Sequence, residues 1–330
     1  MGATSNRRAS ELGETALLGR ILDRLGPPPS PEIWSGDDAA VITTEGPRLL
    51  FTVDTIVERV DFDHSYATGA DVGYKALAVN VSDIAAMGGR PTKGVVTLTI
   101  PPDTDVEYVD DVMTGLMDGA TRWGVDLVGG DLGGGGEVSI SIALLGTPVA
   151  QPVLRSGACP GDAICVTGVL GGAAGGLAVL RSGREPSDAE RALIERQLRP
   201  QPRVEEGSIA GATGCSAMID ISDGLAVDLW RVLVSSEVGC DIDDSLLPVD
   251  PALKECSEVH DPLEIAITGG EDFELLITMD DGRMDETRRR IEAAGKTLTR
   301  IGVVTDHGAT IGGRDVDEWR SEAWEHLSGS

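Results

Sequence analysis

Six places in this sequence put an acid where an apolar element ends or turns. They are Gly36-Asp37-Asp38, Val53-Asp54-Thr55, Ser82-Asp83, Gly129-Gly130-Asp131, Asp220-Ile221-Ser222-Asp223 and Gly269-Gly270-Glu271-Asp272. One such acid alone is ordinarily a turn residue or a helix cap. Six of them, mostly beside glycines at the ends of apolar runs, form a pattern, because clefts in α/β folds open at strand ends. Asp83 lies inside a helical run, with Asn80 three residues earlier on the same face. A buried acid there requires a partner or a metal. An oxygen-rich set without Cys or His suits a hard cation, Mg²⁺ above all. Mg²⁺ held by carboxylates together with substrate phosphates is the usual arrangement for phosphoryl transfer.

Glycine-rich turns let backbone N–H groups approach a phosphate closely. Three candidates are Gly129 to Gly136, Gly168 to Gly176, and the Ser222-Asp223-Gly224 helix start, where the helix dipole favours an anion. Each alone is a weak signal, since tight turns and close helix–strand packing also use glycine, the Gly168 to Gly176 run being equally readable either way. Other devices are missing. Gly295-Lys296-Thr297 resembles the tail of a P-loop, but it follows a helical stretch, and position 290 is Arg290. The histidines His64, His260, His307 and His326 are scattered and form no base–nucleophile pattern.

Composition bounds the rest. The 330 residues suffice for two domains, and 41% hydrophobic residues allow a real core. No apolar run is long enough to cross a bilayer, and Met1 to Arg8 is polar, so a cytoplasmic location is expected. Five cysteines without a C-x-x-C pair argue against a disulfide framework or a zinc knuckle. The net charge of −28 disfavours nucleic acid and anionic membranes as partners. The only lysines are Lys75, Lys93, Lys254 and Lys296, and this excess of acid with little lysine reads as halophilic adaptation.

The elements that must position these acids follow from periodicity. Leu17, Leu18, Ile21, Leu22 and Leu25 predict a first helix. Leu49 to Val53 predicts a strand leading into Asp54, and Tyr74 to Met87 a helix stopped by Gly88-Gly89. Thr104 and Glu107 have capping-box spacing, before a helix with Val106, Val109, Met113, Leu116, Met117 and Ala120 inward. Val125 to Val128 predicts a strand, and Val138 to Leu144 alternates as a strand with one wet face. After a shift near Thr147-Pro148, strands are predicted at Ala163 to Thr167, Ala217 to Ile221, Ile265 to Thr268 and Phe273 to Thr278. Ser187 and Glu190 form a second capping box, and Ser222 is expected to cap a helix bearing Leu225, Leu229, Val232 and Leu233. Two α/β-type halves with a boundary near residue 148 result.

In their order and spacing these blocks resemble the thiamine-monophosphate kinases of the AIR synthetase-like superfamily. The carrying residues are Gly36 to Val41, Asp54 to Val57, Tyr74 to Gly88, Gly129 to Asp131, Arg155-Ser156-Gly157, Arg199-Pro200 with Pro202-Arg203, Ile219 to Leu225 and Gly269 to Leu275. The resemblance implies an α+β chain of α/β-type halves with a two-domain AIR synthetase-like fold. Its N-terminal sheet domain, residues 1–147, binds ATP and Mg²⁺ and makes a homodimer; residues 148–330 form a C-terminal α+β domain. It also implies in-line transfer of the γ-phosphoryl of ATP to thiamine monophosphate, with no catalytic base, because the acceptor is already an anionic phosphate. By the same match Asp38, Thr52, Val53 (through its carbonyl), Asp54, Asp83, Asp131, Asp220 and Asp223 would hold Mg²⁺. Gly130, Asp131, Arg155 and Ser222 would meet ATP. Glu271, and Trp319 or Trp324, would face the thiamine. Where the family has Val-His-Phe, with the His at the substrate, this chain has Val60-Asp61-Phe62, so Asp61 is the expected replacement. Where Thr often follows Gly-Asp, it has Leu132. Two further readings stay open: another ATP-dependent superfamily enzyme, of the AIR synthetase or hydrogenase-maturation type, and a non-catalytic nucleotide-binding regulator.

Overall fold

The computed structural model describes residues 29–34, 37–46 and 48–323. The expected first helix at Leu17 to Leu25, and Trp324, lie outside the described residues. The first sheet contains β1 (Ala40–Ile42), β2 (Leu49–Val57), β3 (Gly89–Ile100), β4 (Asp126–Gly134) and β5 (Ser139–Pro148), in the order β1-β2-β5-β3-β4. Its pairs are antiparallel except β3 with β4. The alternation read in the sequence is present: Ile140, Ile142 and Leu144 of β5 are buried on one face.

That face is covered by α1 (Gly69–Ala86), whose Thr68 and Asp71 form a reciprocal capping box. Helix α2 (Val106–Trp123) packs on α1 through glycines. A Cβ on Gly73 would stand 2.0 Å from the carbonyl oxygen of Val112, and one on Gly115 1.9 Å from that of Ala70. This contact corrects the expected inward stripe of α2. Val112, Leu116 and Ala120 are buried with Gly115 and Gly119, while Val106, Met113 and Met117 are exposed. Glycines admit the backbone of α1, so the helix turns its small residues inward and its methionines outward. Asp105, not Thr104, is the N-cap, and no side chain caps the helix.

The second sheet draws on β6 (Ala163–Thr167), β7 (Ala217–Ile221), β8 (Gly239–Ile242), β9 (Glu274–Met279), β10 (Leu298–Thr305), β11 (Ala309–Ile311) and β12 (Arg314–Asp315). Their order is β12-β11-β8-β10-β6-β9-β7. Around it lie α3 (Gly172–Ser182), α4 (Asp188–Leu198, with the expected Ser187/Glu190 capping box), α5 (Val204–Thr213) and α6 (Leu225–Ser236). They are followed by α7 (Pro262–Thr268), α8 (Asp281–Ala293) and α9 (Val316–Arg320). Ile265 to Thr268 is thus helical, not a strand. Pro262 sits in the first turn, and the Asp261 carboxylate accepts from the N–H groups of Leu263 and Glu264, which is a strong helix start. Gly295-Lys296-Thr297 lies beyond the end of α8.

Helix α1 touches both halves. A Cβ on Gly207 of α5 would lie 2.2 Å from the carbonyl oxygen of Ala85, so α5 rides directly on the end of α1. Arg199 donates to Asp71 at 2.9 Å, and Gln201 to the Tyr74 hydroxyl at 2.9 Å. Arg203 is paired with the buried Glu274 of β9. The Arg199-Pro200-Gln201-Pro202-Arg203 segment therefore ties α1 to the second sheet.

Candidate active site

Carboxylate oxygens of Asp38, Asp83 and Asp220 lie within 4.8 Å of one another. Asp38 precedes β1, Asp83 is on the last turn of α1, and Asp220 is on the buried strand β7. The Thr52 hydroxyl of β2 donates to Asp83 Oδ2 at 2.5 Å, and the Ser82 hydroxyl to Asp220 Oδ2 at 2.5 Å. Arg155 pairs through its guanidinium with Asp38 and through its backbone N–H with Asp37. Asp54 receives a backbone contact of its own, its N–H donating to Asn80 Oδ1 at 2.9 Å, while Asn80 Nδ2 donates to the Ala76 carbonyl. Asn80 and Asp83 of α1 thus each hold β2.

The triad carries strong mutual repulsion. At an effective dielectric of about 20, two unit charges separated by 4.8 Å repel by about 3 kcal/mol. Arg155 offsets part of this. Burial raises the Asp38 pKa, and burial with neighbouring carboxylates holds Asp83 and Asp220 well above the usual range. Asp37 is raised to about 6, chiefly by burial. Asp38 Oδ2 is buried and has no hydrogen-bond partner. An all-oxygen donor set with an orphaned carboxylate oxygen fits Mg²⁺.

Asp131 is placed differently. Register aligns Thr55, Ser141, Thr97 and Asp131 in one row across β2, β5, β3 and β4. Their neighbours Thr52 and Asp54 pair with buried Leu144 and Ile142, so the Asp131 row lies on the face that α1 does not cover. Asp131, Gly130 and Leu132 are exposed on the edge strand. Val53 shares that outer face and is also exposed.

The three glycine-rich candidates now separate. Asp272 accepts from Gly171 N at 2.5 Å and Ala173 N at 3.1 Å, so the turn before α3 is filled by the chain's own carboxylate. Burial raises this carboxylate to about 7. Asp228, fully buried on α6, accepts from the N–H groups of Ser222 and Asp223, both at 3.0 Å. Its pKa is raised to about 7 by burial and then by Asp223. Ser222 is therefore not the expected helix cap: Gly224 is the N-cap, and the N–H groups before it are already engaged. Arg231 pairs with both Asp223 and Asp228. The β4 run is filled by no such carboxylate: a Cβ on Gly129, Gly134 or Gly136 would meet nothing within 4 Å, whereas one on Gly130 would stand 1.9 Å from the Val96 carbonyl oxygen.

A cavity of about 420 Å³ lies against Asp54 and against Ser222 and Asp223, the residues that follow the Asp220 strand. One side comes from Asp54, Val60, Asp61 and Tyr66, the other from Ser222, Asp223 and Glu271. Asp61 is thus at the cavity, its Oδ2 accepting from Val57 N at 2.7 Å. Glu271 is held by Lys75 Nζ at 2.6 Å and Gln197 Nε2 at 2.5 Å. Trp319 does not line it. It packs on the second sheet's core, donates to the Ile311 carbonyl and lies under Arg314 at 4.1 Å. The short helix α9 directs that ring to the sheet, which corrects its expected place at the substrate. Lys75, Gln197, Asp228 and Arg231 were not legible as site residues. The i, i+3 spacing of Asp228 and Arg231 is the one local signal among them.

Two family models match the chain: the N-terminal domain of AIR synthase related proteins over residues 36–147, and the C-terminal domain over 159–313. Curated thiamine-monophosphate kinases are similar over most of their length. That of Escherichia coli K12 is 37% identical (89% of this chain, 90% of the relative), and that of Rhodopirellula baltica 36% (88% and 89%). The solved structure described as AaThiL complexed with AMPPCP and TMP superposes with a TM-score of 0.86 at 32% identity, covering 94% of this chain and 97% of that one. A HypE–HypF complex matches with a TM-score of 0.70 at 20% identity, covering 90% and 95%, which is likeness of fold alone.

Proposed function

The chain belongs to the thiamine-monophosphate kinase family of AIR synthase related proteins, and from that premise we propose that it transfers the γ-phosphoryl group of ATP to thiamine monophosphate. The observation that carries the reading is the meeting of Asp38, Asp83 and Asp220 from three separated segments, together with a cavity walled by both halves of the chain. The hydrogenase-maturation alternative has fold likeness only, and nothing in the site favours a non-catalytic regulator.

Mg²⁺ is the cation the donor set fits, with Asp38, Asp83 and Asp220 as its holders and Thr52, Asp54 and Asp223 beside them. When bound, it neutralises charge on the phosphates. The chain's own residues supply alignment. Arg155, locked by Asp37 and Asp38, offers a fixed cation to a nucleotide phosphate. The open β4 glycines, with Gly130 and Asp131, leave backbone reachable for ATP. The cavity with Asp61 and Glu271 takes the organic end of the substrate, where carboxylates suit a cationic thiazolium. No side chain need remove a proton, since the acceptor is an anionic phosphate, and charge alignment carries the reaction.

The same reading includes a homodimer through the uncovered face of the first sheet, where Phe51, Val53 and Val95 are 40%, 61% and 44% exposed. It includes units of 1–147 and 148–330, a cytoplasmic location and adaptation to salt, the last supported by the charge of −28. Among the described residues no helix is long and apolar enough to cross a membrane. The test is product analysis after incubation with ATP, Mg²⁺ and thiamine monophosphate. Thiamine diphosphate with one ADP per turnover is expected; nucleotide binding without any diphosphate formed would defeat the reading.

A further inference from the structure

We propose that Lys75 is a positioning residue for substrate recognition, locking the Glu271 carboxylate and the Asp61 turn into a single rigid wall of the cavity. The inference rests on the reading of that cavity as the organic-cation side of the kinase site. It adds a residue and a cause to it.

Lys75 is only 3% exposed, although lysine is rarely buried without a partner. It lies early in α1, the helix that also holds Thr52 through Asp83 and Asp54 through Asn80. Its ammonium is 2.6 Å from Glu271 Oε1 and donates to the Asp61 carbonyl at 3.0 Å. These two contacts lie on opposite halves of the chain, and both residues line the cavity. The second Glu271 oxygen receives Gln197 Nε2 at 2.5 Å. Each oxygen of the carboxylate therefore has one protein donor.

The backbone shows why such a lock is required. Glu271 has φ +68° and Phe273 φ +50°, a region that side-chain-bearing residues seldom occupy. Such conformations persist where their surroundings over-determine them. Here the Glu271 N–H donates to the Ser222 carbonyl at 2.8 Å and the Phe273 N–H to that of Ile221 at 2.9 Å, while Lys75 and Gln197 fix the side chain. The Glu271 side chain keeps 29% of its surface exposed, so it can still be reached by a ligand. The Lys75 ammonium meets the carboxylate directly, at 2.6 Å from Oε1. It also divides its donors between two acceptors, which suits a compact ammonium better than a planar guanidinium. The ligand class this wall fits is an organic cation carrying N–H donors.

The experiment compares wild type with Lys75→Met, Lys75→Arg, Glu271→Gln and the Lys75→Met/Glu271→Gln double variant, by steady-state kinetics with thiamine monophosphate and ATP varied separately. Lys75→Met should raise KM for thiamine monophosphate about tenfold, with kcat and the ATP KM changed by less than about threefold, as loss of uniform substrate binding does. Lys75→Arg should recover part of that KM. The double variant should be no worse than Glu271→Gln alone, because residues acting through one another are not additive. An unchanged KM in Lys75→Met, effects that multiply in the double variant, or equal loss for ATP would each overturn the proposal. If Lys75→Met does not fold by thermal melting, Gln197→Met removes the other donor without leaving a charge. It should raise the same KM by about threefold, and no rise would overturn the lock. Wild type is measured first: absence of turnover there defeats the kinase reading itself. Normal wild-type turnover with an insensitive Lys75→Met defeats only this inference.

Discussion

The Ser82 hydroxyl donates to Asp220 Oδ2 at 2.5 Å, across 138 positions of chain. This bond joins the end of α1 to β7, and through it each half of the protein depends on the other for a complete acid cluster. Ser82 is fully buried, and its neighbour Asp83 completes the triad.

Neutralising one triad acid should separate catalysis from stability. Asp83→Asn and Asp220→Asn are each expected to lower kcat by more than about a hundredfold, as loss of a preorganised charge at phosphates does. In EDTA the same variants should be more stable than wild type by about 1–3 kcal/mol, because a repulsion of that order is relieved. Denaturant melts with and without Mg²⁺ check both. Variants that keep full turnover, with the fold intact, would remove the triad from the metal assignment.

Stability without metal should fall as pH rises. Burial raises Asp37 to about 6 and Asp228 and Asp272 to about 7, and raises Asp38, Asp83 and Asp220 as well. In the unfolded chain these acids titrate near the ordinary value of about 4. Between that value and about 6 for Asp37, or about 7 for Asp228 and Asp272, the folded state holds protons the unfolded state has lost, so each unit of pH costs stability; the raised Asp38, Asp83 and Asp220 act in the same direction. Mg²⁺ binds the deprotonated cluster and should flatten the slope. Urea denaturation at pH 5.5, 6.5 and 8.0 in EDTA and in Mg²⁺ measures it. A slope of the opposite sign in EDTA would contradict the burial argument.

Asp61→Ala should raise KM for thiamine monophosphate about fivefold and leave the ATP KM unchanged, since it removes uniform substrate binding. Asp61 lines the cavity, with one oxygen engaged by Val57 N. The effect should weaken at high salt, where an attraction open to solvent is screened. If neither KM moves, specificity rests on Glu271 and its Lys75 and Gln197 donors.

The proposed dimer through the outer face of the first sheet should break when that face is charged. Val95 is 44% exposed there, among apolar neighbours. Val95→Glu should shift the mass by light scattering from dimer to monomer at high salt, because an unpaired charge in an interface is costly. A wild-type chain that is monomeric over the whole salt range would overturn the dimer.

Sequence by itself determined the chemistry-bearing residue types and most of the elements. Alternation marked β5, the capping box at Ser187 and Glu190 marked α4, and Asn80 with Asp83 on an apolar helical run marked a polar pair that needs partners. These signals are local, written within a few residues by periodicity and capping. Which acids meet was decided only by the tertiary structure. Asp38, Asp83 and Asp220 converge, whereas Asp131 falls in a row on the opposite face of its sheet, because register and pleat assign faces. Two glycine-rich turns that read as phosphate cradles are filled by Asp228 and Asp272, acids whose partners lie in other turns or elements. Lys75 gives no local sign of its role, since its acceptors Asp61 and Glu271 come from separate parts of the chain and are brought to it by packing of α1 between the two halves. Long-range contacts of this kind depend on how closely backbones approach, and at Gly73, Gly115 and Gly207 that approach is possible only because no Cβ stands in the way.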